Sequence, residues 1–395
     1  MSEAVLSRAD YKRGRQLLWL VLAAVAAVAL GVVAAIGQRA SVAPVRMSEP
    51  MFPGLADALT KAASIRVEGP AAIVTLDKDA SGTWVVADRS NYPANPDGVR
   101  AIANSLAQLT LIERRTADPA RHAALDLTTG ENGSGHAVTI QAADGSTIAA
   151  LIAGKVQLPA VGATPGTLYV RKAGEDQTWL ARGGFAFPAS VGATLDKTLF
   201  AIAPARIKSV TFAPAGKKTY AISRATPETK DFTLDTIPDG KQANTPALGA
   251  PAGAFAAPTF EDVLKSDAVK TEGASVSTFR TFDGLVLKVT LATGGAGDTY
   301  ALYEASVDDK QAAVAPPPAE GAIKPDPAAE AAAINARTKG WAYKIASYVA
   351  ANIMPALDTL VQDKVSATPP ADEAAPEGEP EPAPEPGPPP PVPPQ

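Results

Sequence analysis

The chain offers 41 carboxylates, two histidines (His122 and His136) and no cysteine as groups for chemistry. Without thiols there is no disulfide, no thiolate metal site and no cysteine nucleophile, and a lipid-modified N-terminal cysteine is excluded. Two histidines leave a transition-metal site to be built mostly from carboxylates, an uncommon donor set. The pairs Glu261-Asp262 and Asp308-Asp309 would serve acid–base hydrolysis only if two carboxyls faced each other across a cleft at roughly 5–9.5 Å. So many acidic residues guarantee neighbours of this kind. Asn132-Gly133-Ser134-Gly135-His136 brings a serine close to a histidine, but it is not a G-x-S-x-G elbow and reads as a loop. No phosphate-binding loop is present, since the Gly130–Gly135 stretch does not join a strand to a helix.

Arg66, Arg171, Arg224 and Arg280 fall on or at the ends of candidate strands, where they could line an anionic groove. Charge that protects exposed sheet edges is the commoner reason for such residues. Trp84, Trp179 and Trp341 are candidate stacking platforms for glycan or peptide, although tryptophan more often fills a core. A net charge of −5 with both signs interspersed gives no footprint for nucleic acid. These residues assign no catalytic, cofactor-binding or metal site, and a non-enzymatic role is expected.

The elements that carry these residues begin with an apolar run, Leu17 to Gly37, free of charge. As a helix it would be roughly 31 Å long, enough to cross a bilayer. Arg8, Lys12, Arg13 and Arg15 precede it and Arg39 and Arg46 follow, which favours a cytoplasmic N-terminus over residues 1–16. A cleaved signal peptide is the competing reading, with Ser41-Val42-Ala43 as the site. The run exceeds the usual apolar region, and Pro44 hinders cleavage. Ala23, Ala27, Gly31 and Ala35 recur every four residues, a stripe suited to helix pairing but also explained by alanine-rich composition.

Residues 38–54 form a Pro-containing linker. Beyond it the pattern predicts a first α+β unit over 55–203. It holds a short helix at 55–63, strands at Ile65, Ile73 and Thr83, and a helix capped by Asn95 with Pro96 at its first position. Val99, Ile102, Leu106 and Leu109 give that helix its apolar stripe, and Glu113-Arg114-Arg115 ends it. A hairpin turns at Asp144-Gly145. Strands at 167–171 and 178–180 and a helix over 189–199 follow.

The order then restarts over 204–365. Strands at Ile207, Thr219 and Asp231 precede a helix opened by Pro258 and bearing Phe260, Val263 and Leu264. A second hairpin turns at Asp283-Gly284. The two Asp-Gly turns are 139 residues apart and the two opening isoleucines 142 apart, as a duplication requires. A strand at 299–303, a Pro-rich insertion near 311–327, a helix over 328–337, a closing strand at 341–345 and weak helix over 350–365 complete this unit. Residues 366–395 are rich in Pro and Glu and are expected to be a disordered tail. The expected fold class is α+β: one N-terminal transmembrane helix, then two tandem, related, mostly antiparallel-sheet domains with covering helices.

The N-terminal helix, the I-x-V strand followed by Trp84-Val85-Val86, the Asn95-Pro96 helix and the Tyr169-Val170-Arg171 strand resemble a known group. So do Asp231-Phe232-Thr233-Leu234 and Lys339-Gly340-Trp341-Ala342-Tyr343-Lys344-Ile345. The group is the bacterial domain of unknown function associated with auxiliary components of gliding-type ABC transport systems. The resemblance covers about residues 55–350 and carries over no catalytic residue. It implies a single-pass inner-membrane protein with its bulk in the periplasm. Such a protein would be an accessory or scaffold beside an ABC-type permease, needing no cofactor. A cell-wall glycan or peptide module is the alternative, and a carboxylate-based hydrolase a third.

Overall fold

The computed structural model describes residues 49–157, 166–185, 187–313 and 326–364. The apolar run 17–37, most of the 311–327 insertion and the acidic tail lie outside them. Among the described residues no helix is long and apolar enough to cross a membrane.

The strands, in chain order, are β1 (Glu49–Pro50), β2 (Ala62–Glu68), β3 (Ile73–Lys78), β4 (Trp84–Val86), β5 (Tyr92–Pro93), β6 (Thr110–Arg114), β7 (His136–Ala142), β8 (Thr147–Gln157), β9 (Thr167–Lys172) and β10 (Thr178–Arg182). There follow β11 (Ile207–Ala213), β12 (Tyr220–Ser223), β13 (Thr233–Leu234), β14 (Lys241–Ala243), β15 (Asp262–Lys265), β16 (Lys270–Thr281), β17 (Leu285–Thr293), β18 (Thr299–Val307), β19 (Trp341–Lys344) and β20 (Val361–Asp363).

The first sheet runs β5-β4-β3-β2-β7-β8-β9-β10-β6-β1 and the second β13-β12-β11-β16-β17-β18-β19-β15. With β5 and β1 set aside the two orders coincide strand for strand, β2 matching β11 and β6 matching β15. Alternation builds both. Val138 and Ile140 of β7, and Leu285, Leu287 and Val289 of β17, are buried while their neighbours turn outward. The inward faces of both sheets join one hydrophobic core that runs from Met51 to Val361.

These sheets correct the α+β expectation: the described chain is mostly antiparallel β with few helices. Only two α-helices there reach eight residues, Pro96–Gln108 and Pro327–Thr338. The Pro96 helix starts as its sequence requires, with Asn95 Oδ1 accepting from the amides of Asp97 and Gly98 at 3.0 and 3.4 Å, and it buries Val99, Ile102 and Leu106. It stops at Gln108, and Glu113 and Arg114, expected at its end, belong to β6.

The helix expected after Pro258 is absent, and β15 stands there, paired to β19 with Val263 opposite Tyr343. Period-3.6 spacing over so short a run does not separate a helix from a buried strand. The helix expected over 189–199 is a single 3-10 turn, Val191–Thr194. The 350–365 stretch divides into a helix Ser347–Ile353, a 3-10 turn Leu357–Thr359 and β20, which pairs with β14.

The hairpins form at Asp144-Gly145 and Asp283-Gly284, with φ of 81° and 94° at the two glycines. At Gly284 a Cβ would also lie 2.7 Å from that of Ala312.

In the first unit β9 runs into β10 by a short hairpin and the two strands pair along their length. In the second, β18 pairs with β19 only at Tyr300 and Ala301, and the Pro327 helix covers the rest of its edge. Asn335 accepts from the Ala305 amide at 2.8 Å and donates to the Ala305 carbonyl at 2.7 Å. Thr338 donates to the Tyr303 carbonyl at 3.3 Å. The helix thus supplies the hydrogen bonds a missing strand would make.

Candidate functional site

The two units meet where the outer edge of β15 approaches β5 and the turn after β4. Asn95 donates to the Thr194 carbonyl and Asp196 to that of Pro93, at 2.8 and 2.9 Å, so residues 194–196 run alongside β5. A Cβ on Gly192 would stand 2.3 Å from the carbonyl oxygen of Glu261. Only glycine lets the two backbones come this close.

Charge then locks the seam. Arg89 holds both carboxylate oxygens of Asp262, at 2.6 and 2.7 Å. Burial would raise the Asp262 carboxyl, but hydrogen bonds from Arg89 and the Val263 amide, with the charges of Arg89 and Lys197, hold it below the ordinary value. Lys197 lies over the Phe260 ring at 4.2 Å and donates to the carbonyls of Phe260 and Glu261 at 3.0 and 2.9 Å. Burial pushes its ammonium below the ordinary lysine value. Arg337 pairs with Asp196 at 2.5 Å. Arg206 bridges Asp283 and Glu330 at 2.6 and 2.7 Å, although its Nε and Asp283 Oδ1 are buried without a partner.

Between the 199–201 segment and the Pro327 helix lies a cleft of about 650 Å³, lined in part by Tyr92, Phe200, Glu330, Ile334, Arg337 and Trp341. Tyr92 meets Trp341 edge to face at 4.9 Å and Phe260 at 6.1 Å. The two charged residues named here, Glu330 and Arg337, are those already paired with Arg206 and Asp196. The cleft therefore presents aromatic and aliphatic surface bounded by neutralised charge.

The residues singled out by type do not assemble into one site. Arg66 pairs with Glu68, while Arg280 lies within 3.5 Å of Thr211. Arg171 donates to the carbonyls of Leu127 and Glu175, and Arg224 to those of Ile207, Thr229, Pro204 and Ala205. Arg224 is further packed between Phe232 and Phe282, at 4.8 and 5.6 Å. Arg171 and Arg224 hold loops, Arg66 and Arg280 sit on interior strands, and the four are divided between two different sheets.

Of the carboxylate pairs, Asp262 is bound to Arg89, and Asp308 accepts from the Gln311 amide at 3.2 Å. His122 is buried with Nε2 2.9 Å from the Asp176 carbonyl oxygen. His136 stacks on Phe187 at 4.0 Å. Among the described residues no group of three or more His, Asp or Glu could hold a metal.

Trp84 and Trp179 pack half-buried against the core, with Lys78 Nζ 5.1 Å over the Trp84 ring. Trp341 alone of the three lines the cleft, and Lys265 Nζ sits 3.6 Å from its ring centroid. Of the residues that line the cleft with Trp341, Tyr92 and Arg337 carry no local signal of this role, nor do the seam residues Arg89 and Asp196. The two seam pairs join residues 141 and 173 positions apart.

No curated protein and no solved structure matches the chain. A family model does: that of DUF4340, a domain of unknown function, matches residues 84–276, from β4 into β16.

Proposed function

We propose that this chain is a non-catalytic accessory protein of the bacterial inner membrane. Residues 17–37 hold it there, the two units face the periplasm, and the cleft between them engages a membrane-protein partner, an ABC-type permease. The observation that carries this reading is the state of the charges around the cleft. Glu330 and Arg337, the charged residues of its lining, are held in ion pairs with Arg206 and Asp196, which fixes the Pro327 helix and leaves the aromatic surface as the part available to a ligand. The apolar run and its flanking charges support the anchoring, and the resemblance to auxiliary components supports the partner class.

A photoreactive amino acid at Ala333, in the cleft wall, tests it in intact membranes. Recovery of a permease by mass spectrometry supports the reading, and recovery of no membrane protein overturns it. The glycan-stacking alternative is disfavoured because Lys265 already occupies one face of the Trp341 ring. Titration of the tryptophan fluorescence with cell-wall fragments should show no saturable change.

A further inference from the structure

We propose that one end of the first sheet rests on the lipid surface, beside the point where the N-terminal segment enters the fold. This inference builds on the anchoring by residues 17–37 proposed above. The register fixes the end in question. Gln157 stands opposite Thr167, Thr167 opposite Arg182, Arg182 opposite Thr110 and Thr110 opposite Pro50, one row across five strands. Two strand spacings, about 10 Å, therefore separate Arg182 from Pro50. Eleven residues, 38–48, lie between the apolar run and Glu49, and they span at most roughly 40 Å. The tether keeps Glu49 within that distance of the bilayer.

The same end carries exposed apolar side chains. Four large hydrophobic side chains stand exposed among the described residues, and two belong to the first unit: Val156 at 53%, next to Gln157, and Ile73 at 50%, which opens β3 at the same end but in the row of Glu68, Ala137 and Ile152, five residues along β8 from Gln157. After Arg182 the chain runs through Gly183–Ser190, a stretch without charge. Phe187 of that stretch stacks on Phe185 at 4.7 Å and on His136, the first residue of β7, at 4.0 Å. A Cβ on Gly69 would meet the His136 ring at 2.4 Å, so the uncharged turn Gly69–Ala72 completes the surface beside Ile73. Lys155 and Arg182 are exposed within it, and its acidic residues include Glu49 of the terminal strand and Glu68, which stands opposite Ile73 and is paired with Arg66. Apolar and aromatic side chains with a few basic ones suit the interfacial zone of an anionic bilayer. The other two exposed hydrophobics, Ile237 and Tyr348, belong to the second unit.

The absence of cysteine makes the test direct. Full-length single-cysteine variants Val156→Cys, Ile73→Cys, Ile237→Cys and Tyr348→Cys carry an environment-sensitive fluorophore. They are reconstituted in phosphatidylethanolamine–phosphatidylglycerol vesicles containing nitroxide-labelled lipid. Labels at 156 and 73 are expected to lose about half or more of their emission, as side chains buried in the interface do, and those at 237 and 348 to keep theirs. If the protein floats with the vesicles but 156 and 73 are quenched no more than the controls, this inference falls alone and the anchoring stands. A protein that does not float removes the anchoring, and this inference with it.

Discussion

The guanidinium of Arg89 and the carboxylate of Asp262 form a two-bond clamp across the boundary between units, with each side chain only about a quarter exposed (26% and 28%). Removing either partner leaves the other partly desolvated and unpaired. Arg89→Ala is expected to lower stability by about 1–3 kcal/mol, read from the midpoint of urea unfolding. Asp262 titrates below its ordinary value in the folded state. Its contribution is therefore complete above about pH 3.9 and fades as the pH falls through the lowered value. Acid unfolding of Asp262→Asn should lack that component.

Asn335 takes the place of a neighbouring strand at Ala305. Asn335→Leu preserves size but leaves one backbone donor and one acceptor without partners, at an expected cost of about 1–3 kcal/mol. The Ala305 amide should then exchange its hydrogen faster, while Leu287 and Val289 in the next strand keep their protection. Equal exchange at Ala305 in both proteins would show that the helix does not seal this edge.

Gly192 supplies the closest approach in the seam. Gly192→Ala places a methyl group 2.3 Å from the Glu261 carbonyl oxygen, and since both sides are backbone the two units must separate slightly. The expected loss is about 1–3 kcal/mol, seen as a lower melting temperature.

His136 is held in its stack with Phe187, where burial pushes the imidazole below its ordinary value. The unfolded chain then binds the proton more readily than the folded one, so stability falls as the pH drops from about 6.5 toward the lowered value. His136→Phe retains a ring in the stack and should remove this slope between pH 7 and 5. An unchanged slope would assign it to other groups.

Local patterns made much of the fold legible in advance. Alternation marked the strands at Ile65, Ile73 and Ile207, Asp-Gly marked both hairpins, and Asn95-Pro96 marked the start of a helix. What escaped was decided by partners distant in the chain. Val263 and Leu264 have helical spacing with Phe260, yet they form a strand because Tyr343 and Ala342 lie beside them. Thr110 to Arg114 continue an apparently helical stripe but are drawn into the ladder of β10. The cleft was hidden for the same reason. Tyr92 and Trp341 are far apart in sequence, and neither belongs to a recognisable motif.

Two sheets with one strand order in a single chain create a hazard during folding, because a strand of one unit could insert into the vacancy of its counterpart. Side-chain volume opposes the exchange. In the first unit Ile65 faces Ile140 and Val67 faces Val138, whereas in the second Val210 faces Phe279 and Phe212 faces Ser277. The Ser277 hydroxyl is itself tied to the Ile353 carbonyl at 2.7 Å. Setting β2 against β16 would bring Ile65 or Val67 against Phe279 or strand Ser277 without its large neighbour, overfilling one layer and hollowing the next. The unequal pairs therefore disfavour the exchange of strands between the two halves.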